Sequence, residues 1–259
     1  MSGLLHLKGL TKSFGGVRAV DDVSVTIEPG QSVALIGPNG AGKTTLINLL
    51  SGLITPDKGD IQLGATPLHH LPAHRRIKAG LGRTFQITAP FKRLTVHTNM
   101  ALTLAAQQSG FTNRWLRRWP GAVDDAAHEW LKRIGLEHQA NNTAGILAYG
   151  DQKRLELGLA LATNPQLLLL DEPMAGVSQH DRDDLMTLAL GTLKSPLEAE
   201  QNRAVLFTEH DMATVFSHAD RILVLAQGKL IADGTPDAIA ADADVQDIYL
   251  GKAAEGLAG

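Results

Sequence analysis

Cysteine is absent from this 259-residue chain, and so is any long apolar run. Without cysteine the chain has no disulfide bond and no thiolate metal site, which fits a reducing compartment. The N-terminus, MSGLLHLKGLTKSFGG, lacks the long apolar stretch of a secretory signal. No window offers the roughly 18 apolar residues that span a membrane. We therefore expect a soluble, cytoplasmic protein that would work at a membrane only through a partner.

An excess of positive charge is also missing. The chain has 24 Lys and Arg against 27 Asp and Glu, a formal net charge of −3. Proteins that bind nucleic acid usually carry a basic domain or stripe, so we expect no nucleic-acid partner. The length and the 44% apolar content suit one large α/β domain, or a core with a subdomain.

Strand and helix patterns divide the chain into three parts. LLHLKGLTKSFG and VRAVDDVSVTIEPG alternate apolar and polar residues, which predicts antiparallel strands. From about Pro67 to Leu147 strand-like runs become rare, and VHTNMALTLAAQQ and DDAAHEWLKRIGL have helical periodicity. Strand–helix alternation returns after Leu167, and residues 237–250 predict a closing helix. The pattern predicts an α/β core with N-terminal antiparallel strands and an inserted helical subdomain.

A glycine-rich loop follows the predicted strand QSVALIG and precedes a predicted helix. Its sequence, GPNGAGKTT, matches G-x-x-x-x-G-K-[ST] in the setting that this motif requires. The glycines let several N–H groups face phosphate oxygens, and the helix N-terminus adds partial positive charge. Lys43 would reach the β- and γ-phosphates, and the Thr44 hydroxyl would ligate Mg²⁺. The predicted residues for ATP or GTP are Gly37, Pro38, Asn39, Gly40, Ala41, Gly42, Lys43, Thr44 and Thr45.

Two acids end the run LLLLDE at residues 167–172. Four leucines predict a buried strand, and α/β proteins bind ligands at the carboxyl ends of such strands. In P-loop enzymes an acid at this place holds Mg²⁺, a role that we assign to Asp171. The adjacent Glu172 would polarise the attacking water. A solvated strand end is the alternative, but the phosphate loop in the same chain favours the catalytic interpretation.

Together these motifs resemble those of the ATP-binding subunit of an ABC transporter, over nearly the whole chain. GPNGAGKTT is similar to the Walker A loop, and LLLLDE to Walker B with its catalytic glutamate. The family's other motifs match in order and spacing: Phe14 in KSFGG, which would stack on adenine, the Q-loop Gln86 in GRTFQ, the signature LAYGDQ, the D-loop AGVS and the switch His210 in FTEHD. The resemblance implies a P-loop NTPase of the ABC ATPase fold that hydrolyses ATP with Mg²⁺.

The resemblance also implies a role for each matching residue. The catalytic residues would be Lys43, Gln86, Glu172 and His210, and the metal would be held by Thr44, Gln86 and Asp171. A helix beginning near Asp151 would follow the signature, which would cover a partner subunit's ATP through Leu147, Ala148, Tyr149, Gly150 and Asp151. The D-loop would comprise Ala175, Gly176, Val177 and Ser178. The nucleotide-binding core would span residues 1–87 and 165–259, with the helical subdomain at 88–164.

Within the family, the chain is similar to the branched-chain amino acid and amide uptake group. The similar stretches are GRTFQITAPFKRLTVHTNMAL, LAYGDQKRLELGLALA, LFTEHDM and DGTPDAIAADADVQDIYLG. In that group two different ATPases sit beneath two different permease subunits, and a periplasmic protein delivers the solute. This chain resembles the longer ATPase, with extra residues like those around Arg114–Pro120. The resemblance implies a heterodimer, or alternatively a homodimer, at the cytoplasmic face of the inner membrane.

The signature departs from the family's usual Leu-Ser-Gly-Gly-Gln. Ala148 lacks a hydroxyl, Asp151 is a carboxylate where an amide is common, and Ser178 stands where the D-loop often has aspartate. The phosphate loop, Walker B, Gln86 and His210 are intact, so we expect an active ATPase.

Other interpretations remain open at this stage. The chain could serve an exporter or an importer of another solute. A soluble ABC ATPase acting on ribosomes or DNA usually has two cassettes or a long coiled coil, and this chain has neither. Gln86 could be an ordinary loop amide, His210 a structural histidine and Phe14 a core residue. The patch RWLRRWP is either an amphipathic helix or a contact for lipid or a permease. The transported solute is set by other subunits.

Overall fold

The computed structural model describes residues 3–84, 90–107, 121–191, 193 and 203–248. These residues form two β-sheets flanked by helices. The strands are β1 (Leu5–Phe14), β2 (Val17–Ile27), β3 (Ser32–Ile36), β4 (Lys58–Leu63), β5 (Thr66–Pro67), β6 (Leu81–Arg83), β7 (Leu167–Asp171), β8 (Ala204–Thr208), β9 (Arg221–Ala226) and β10 (Lys229–Gly234). The helices are α1 (Lys43–Ser51), α2 (Ala73–Lys78), α3 (Val96–Gln107), α4 (Gly121–Arg133), α5 (Tyr149–Ala162), α6 (Gln179–Gly191), α7 (Met212–His218) and α8 (Pro236–Ala240).

The first sheet is antiparallel, with the strand order β2-β1-β4-β5. Along β1, Leu5, Leu7 and Leu10 are buried, so the two-residue alternation is broken once. The break coincides with a register shift against β2 and with Gly9, whose φ is +59°. A bulge inserts one extra residue and thereby keeps Leu10 on the core face. The structure thus contains the antiparallel strands predicted at the N-terminus.

The second sheet has the order β10-β9-β3-β8-β7-β6, and among its described strands only the edge strand β10 is antiparallel to its neighbour. β3 and β8 are buried along their whole length, and β7 is buried up to Asp171. Continuous burial is typical of a parallel sheet covered on both faces. Because β7, β8 and β3 are parallel neighbours, the residues that follow Ile36, Asp171 and Thr208 share one edge of the sheet.

Apolar side chains pack on both faces of this second sheet. Val33 and Leu35 of β3 join a cluster that contains residues of both sheets and of α1. Ala34 and Ile36 point to the other face, where they pack with residues of α5, α6 and α7. The alternation along one strand therefore fixes which helices lie on each face.

A third apolar cluster joins α3, α4 and α5. It includes Met100 and Leu131, together with Leu155 and Leu159 of α5. On the same helix α5, Leu157 instead packs against the cluster beneath the second sheet. Helix α5 thus connects the inserted helices to the α/β core. None of the helices in the described ranges is long and apolar enough to cross a membrane.

Two elements differ from the sequence-based prediction. β6 is a short strand beside β7, in a region where strand-like runs were expected to be rare. The closing segment is not one helix, because α8 ends at Ala240 and residues 243–248 are helical again. Oxygens of Thr235 and Asp242 accept hydrogen bonds from backbone N–H groups three residues later, so each helix has its own cap. The RWLRRWP patch lies outside the described residues.

Candidate functional site

The phosphate loop is pressed against backbone on two sides. Gly37 has φ +154°, and a Cβ there would lie 2.1 Å from the carbonyl oxygen of Leu225. Gly42 has φ +104°, and its Cβ would lie 2.1 Å from the carbonyl oxygen of Ala19. Gly40 has a positive φ as well, but a Cβ there would meet nothing within 4 Å. Close backbone approach therefore requires glycine at 37 and 42, and the turn favours it at 40.

Lys43 begins α1 directly after the loop, and only 7% of its surface is exposed. Its Nζ donates to the carbonyl oxygens of Gly37 and Pro38, at 2.6 and 3.3 Å. The ammonium is thus held inside the curve of the loop. A cleft of about 210 Å³ opens there and is lined by Ala19, Asn39, Gly40, Ala41, Gly42, Lys43, Thr44, Thr45, Glu172 and His210.

Asp171 ends β7 and is held by two side chains. Arg83 Nη2 donates to Oδ2 at 3.2 Å, and Thr208 Oγ1 donates to Oδ1 at 3.0 Å. Arg83 Nη1 also donates to Asn48 and Ser51 of α1, at 2.8 and 2.6 Å. Burial lowers the pKa of Arg83, and the nearby carboxylate of Asp171 opposes this shift. Arg83 therefore connects the helix after the phosphate loop to the acid at the end of β7.

Glu172 and His210 contact each other in the cleft. His210 Nε2 lies 2.8 Å from Glu172 Oε1, and both side chains are partly exposed to solvent. Glu172 has φ +48°, a value that residues other than glycine rarely adopt. Its N–H donates to Thr208 Oγ1 at 2.9 Å, which helps to fix this backbone. A strained backbone persists only where its surroundings hold it, and such residues concentrate at functional sites.

Glu209 is a buried carboxylate that the sequence analysis did not single out. Its Oε1 accepts the N–H of Met174 at 3.0 Å, and its Oε2 accepts the N–H of His210 at 3.3 Å. Burial raises the pKa of Glu209, and these two hydrogen bonds oppose the shift. The side chain links the segment after Glu172 to the backbone of His210. The signal was available in FTEHD, where an acid directly precedes the histidine.

The signature lies at the start of α5, which begins at Tyr149, two residues earlier than predicted. Ala148 occupies the N-cap position and offers no side-chain hydrogen bond to the first turn. Asp151 Oδ2 accepts from Gln139 Nε2 at 2.6 Å. A Cβ on Gly150 would meet only Asp181, at an ordinary distance of 3.6 Å. Packing among the described residues of this chain therefore does not require glycine at position 150.

The D-loop is in contact with the signature of the same chain. Tyr149 Oη donates to the carbonyl oxygen of Ala175 at 3.0 Å, and a Cβ on Gly176 would lie 3.1 Å from the Tyr149 ring. Gly176 has φ +74°. Val177 is buried, and Ser178 Oγ accepts the N–H of Asp181 in the first turn of α6. Serine at 178 thus caps a helix, a function that aspartate also performs.

The structure describes Phe14 but not Gln86. Phe14 ends β1 with 51% of its surface exposed, and Lys12 Nζ lies 5.6 Å from the centre of its ring. This exposure is inconsistent with a core residue and leaves about half of the side-chain surface accessible to a ligand. Gln86 lies in residues 85–89, outside the described part of the chain.

The sequence matches the family model for the ABC transporter over residues 20–175, more than half of the chain. The chain belongs to the ABC transporter family. A second family model, described as the branched-chain amino acid ATP-binding cassette transporter, matches residues 229–255. The ABC ATPase fold predicted from the motifs is confirmed by these matches and by solved cassettes of the same architecture.

Similar proteins cover nearly the whole of this ABC ATPase. It is 41% identical to the high-affinity branched-chain amino acid transport ATP-binding protein BraF of Pseudomonas aeruginosa, over 96% of this chain and 98% of BraF. It is 34% identical to the lipopolysaccharide export system ATP-binding protein LptB of Escherichia coli (strain K12), over 96% of this chain and 97% of LptB. The solved ADP conformation of MJ1267, an ATP-binding cassette of an ABC transporter, has a TM-score of 0.80 and 29% identity, over 97% of this chain and 100% of that one.

The family identifies the chemistry of the cleft. This ABC ATPase is an energy-coupling subunit that hydrolyses ATP. ATPase subunits of ABC transporters dimerise and work with permease subunits, so the chain acts as a peripheral subunit at a membrane.

Thr44, which lines the cleft, and Asp171, which directly precedes the lining residue Glu172, suit Mg²⁺. Thr44 offers a hydroxyl and Asp171 a carboxylate, and Mg²⁺ prefers such oxygen ligands, partly through water. Each oxygen of Asp171 accepts one described hydrogen bond, which leaves further lone-pair capacity on both. Bound there, the ion would offset negative charge on the phosphates.

Proposed function

We propose that this chain is the ATP-hydrolysing subunit of an importer for branched-chain amino acids or related small polar solutes, and that Glu172 and His210 carry the hydrolysis. The observation that carries the catalytic assignment is the 2.8 Å contact between these two side chains, in a cleft lined by the phosphate loop. A general base, a residue that orients it and a phosphate cradle are the parts that phosphoryl transfer to water requires.

In this proposal the loop binds the triphosphate and Lys43 stabilises its charge. The Lys43 ammonium, which donates to Gly37 and Pro38 in this structure, would exchange one of these carbonyl partners for phosphate oxygens. The loop N–H groups and the N-terminus of α1 add donors and partial positive charge. Phe14 would stack on adenine through its exposed ring. Mg²⁺ would be held by Thr44, Asp171 and Gln86.

Glu172 would orient a water and accept its proton as the water oxygen bonds to the γ-phosphorus. The bond from that phosphorus to the bridging oxygen breaks, and ADP leaves with the electron pair. His210 Nε2 would hold the Glu172 carboxylate and the γ-phosphate in register. Glu209 and Thr208 position these two residues through their backbone. Positioning and electrostatic stabilisation supply most of the rate in such reactions.

The signature would complete the site of a second subunit. The first turn of α5 has N–H groups that its N-cap residue, Ala148, leaves without a side-chain acceptor, and the helix dipole adds positive charge there. The glycine at 150 would let that backbone approach the partner's γ-phosphate. Asp151, engaged by Gln139, would point away from it. We infer that two ATPase subunits, different ones in a heterodimer, close face to face over two nucleotides.

We further propose how the chain is divided and coupled. Residues 1–87 and 165–259 would form the nucleotide-binding core, and residues 88–164 the helical subdomain that carries the signature. The apolar cluster of α3, α4 and α5 supports such a unit. Gln86, at the junction, would pass motion to two permease subunits. The assembly would sit at the cytoplasmic face of the inner membrane and receive solute from a periplasmic binding protein.

Two observations support branched-chain amino acids as the solute class. The match to the branched-chain amino acid model covers the C-terminal residues 229–255, and the identity to BraF, 41%, exceeds that to LptB. An exporter ATPase is the second candidate, supported by the 34% identity to LptB over nearly the whole chain.

Uptake of labelled leucine tests the solute assignment. Cells that lack this chain should lose ATP-dependent leucine uptake, and the wild-type chain should restore it. Lys43→Ala, which removes the charge facing the phosphates, should fail to restore uptake. Lys78→Ala, an exposed lysine outside the cleft, is the matched control and should restore it. Normal leucine uptake without the chain would contradict leucine as the solute and leave a related small polar solute or export as the candidates.

A further inference from the structure

Two histidines and an aspartate cluster on helices α3 and α4, outside the nucleotide cleft. His97 lies on α3, and Asp124 and His128 lie one turn apart on α4. Each offers a possible ligand atom, and the three atoms lie within 4.8 Å of one another. The proposed mechanism uses none of these residues.

The inner ligand atom of the cluster is His97 Nε2, whose neighbour Asp124 is partly exposed. His97 Nε2 lies 3.2 Å from Asp124 Oδ1, and the His97 side chain is only 14% exposed. The Nε2 atom is itself buried, and among the described residues it finds no partner with hydrogen-bond geometry. A buried ring nitrogen without a well-aligned partner is costly, and a bound ion would use its lone pair.

The outer histidine makes a backbone contact of the kind that metal-binding histidines make. His128 Nδ1 lies 2.9 Å from the carbonyl oxygen of Asp124, one turn earlier on α4. If Nδ1 carries the proton and donates to that carbonyl, Nε2 keeps its lone pair. Histidines that bind metals usually donate their other ring N–H to a carbonyl or carboxylate in this way. The His97 and His128 rings are 4.5 Å apart between centroids.

We propose that His97, Asp124 and His128 form a Zn²⁺ site that ties α3 to α4. Two imidazoles and a carboxylate are ligands that Zn²⁺ accepts in tetrahedral geometry, with water in the fourth position. Mg²⁺ and Ca²⁺ prefer sites made of oxygen alone. The cluster is open on one side, because His128 is exposed, so a water can complete the coordination.

Closure around the ion needs only a small movement. Ligands bound at about 2.0–2.2 Å in a tetrahedron lie roughly 3.3–3.6 Å apart. The pair His97–Asp124 is already at 3.2 Å. The remaining approach falls to His128, whose side chain is exposed. The burial of His97 on α3 supplies the fixed half of the site.

The position of the site gives it a structural consequence. Both helices belong to the apolar cluster that also contains α5, the helix that begins in the signature. An ion shared by α3 and α4 would reduce the motion of one helix against the other. We therefore expect Zn²⁺ to stabilise the inserted helices without taking part in ATP hydrolysis.

Calorimetric titration of the full chain with ZnCl₂, free of nucleotide and Mg²⁺, tests the site. We expect one Zn²⁺ per chain and a rise in the thermal unfolding midpoint, since an ion that binds only the folded state stabilises it. His128→Ala changes an exposed side chain and should weaken binding about tenfold or more. His97→Gln, which keeps a polar side chain, should do the same. His138→Ala alters an exposed histidine outside the cluster and should leave the affinity unchanged.

A second control separates this site from the cleft, where Glu172 and His210 could also hold an ion. His210→Ala should keep the Zn²⁺ affinity if the ion lies between α3 and α4. Loss of binding in His210→Ala together with retention in His128→Ala would overturn the proposal. Equal affinity in the wild type, His128→Ala and His97→Gln would overturn it too, as would the absence of a one-to-one site in the wild type.

Discussion

Single residues of the phosphate loop are fixed by their neighbours as much as by their own conformation. The loop must curl, which three glycines with positive φ allow. At two of them a side chain would also strike a backbone carbonyl, from β9 at Gly37 and from β2 at Gly42. Glycine in this motif therefore meets two requirements: the curl of the backbone around phosphate, and close packing against the two sheets. Only the second can be tested without nucleotide.

A matched pair of glycines separates conformation from packing. Gly42→Ala combines φ +104° with a 2.1 Å approach to Ala19, whereas Gly15→Ala combines φ +58° with no atom of the described residues within 4 Å of its Cβ. A left-handed alanine costs roughly 1–2 kcal/mol, and overpacking typically adds about 1–3 kcal/mol. We expect Gly42→Ala to lower the free energy of unfolding by more than Gly15→Ala and to weaken ATP binding. Urea unfolding and nucleotide titration of both variants measure this, and equal losses would show that the contact with Ala19 relaxes at no cost.

Glu209 makes stability depend on pH. Its pKa is raised in the folded chain, so the folded state holds this proton more tightly than the unfolded state does. The resulting stabilisation is complete below the ordinary pKa of 4.5 and is lost as the pH rises through the raised folded value. Glu209→Gln cannot ionise, and its amide oxygen can still accept the N–H of Met174. Relative to the wild type, this variant should gain stability as the pH increases above 4.5.

Urea unfolding of the wild type and Glu209→Gln at several pH values tests this account. The difference between their free energies of unfolding should grow with pH. A difference that does not change with pH would mean that Glu209 keeps an ordinary pKa in the folded chain.

Strands and helices place the proposed catalytic groups, because several of these elements end or begin at one edge of the second sheet. The carboxyl ends of β7, β8 and β3 lie at one edge of the second sheet, and α1 starts at the same edge with Lys43. Helix α5 begins elsewhere, with its N-terminus in contact with the D-loop of the same chain. Glu172 and His210 line the cleft of the phosphate loop, but none of the signature residues does. The family resemblance implies that the signature serves a partner's nucleotide, and this separation supports that proposal.

Gly150→Glu tests that assignment. Packing within the described residues leaves room for a side chain at 150, although a glutamate there would approach Asp181. We expect ATP binding to the isolated chain to stay near normal, while hydrolysis by the assembled pair collapses because a carboxylate faces the partner's phosphates. Gly150→Ala controls for loss of the glycine alone. If Gly150→Glu abolishes ATP binding by the isolated chain, or leaves hydrolysis by the pair intact, the assignment is wrong.

Sequence patterns predicted most elements but not all of their limits. Alternation and buried runs predicted β1, β2, β3 and β7, because those patterns reflect one-sided or two-sided burial. The three-residue strand β6 is too short to show a period, and it exists because β7 offers an unpaired edge. The prediction of one closing helix over residues 237–250 was wrong. The capping oxygen of Asp242 divides it, and apolar periodicity does not detect a cap.

At the scale of the whole molecule, motifs predicted the groups proposed to face the nucleotide but not the side chains that hold those groups. Arg83, Thr208 and Glu209 carry no motif of their own. Their roles follow from contacts between segments far apart in the chain, such as Arg83 with Asn48 and Asp171. A pattern along the sequence cannot show which distant side chains meet. The family identity was therefore accessible from sequence, and the candidate site residues stay a prediction from the motifs, whereas the side chains that hold them required the structure.

The central claim is that Glu172, paired with His210, makes this chain an ATPase that drives transport. Steady-state ATP turnover by the assembled transporter, with either the wild type or Glu172→Gln, tests this claim most directly. Glutamine keeps the size and the hydrogen-bonding capacity of the side chain but cannot accept the proton. We expect ATP to bind normally while turnover falls by about 10²–10⁴-fold, the usual contribution of a general base. Glu137→Gln, an exposed glutamate outside the cleft, should have no effect. Turnover of Glu172→Gln close to that of the wild type would contradict the account.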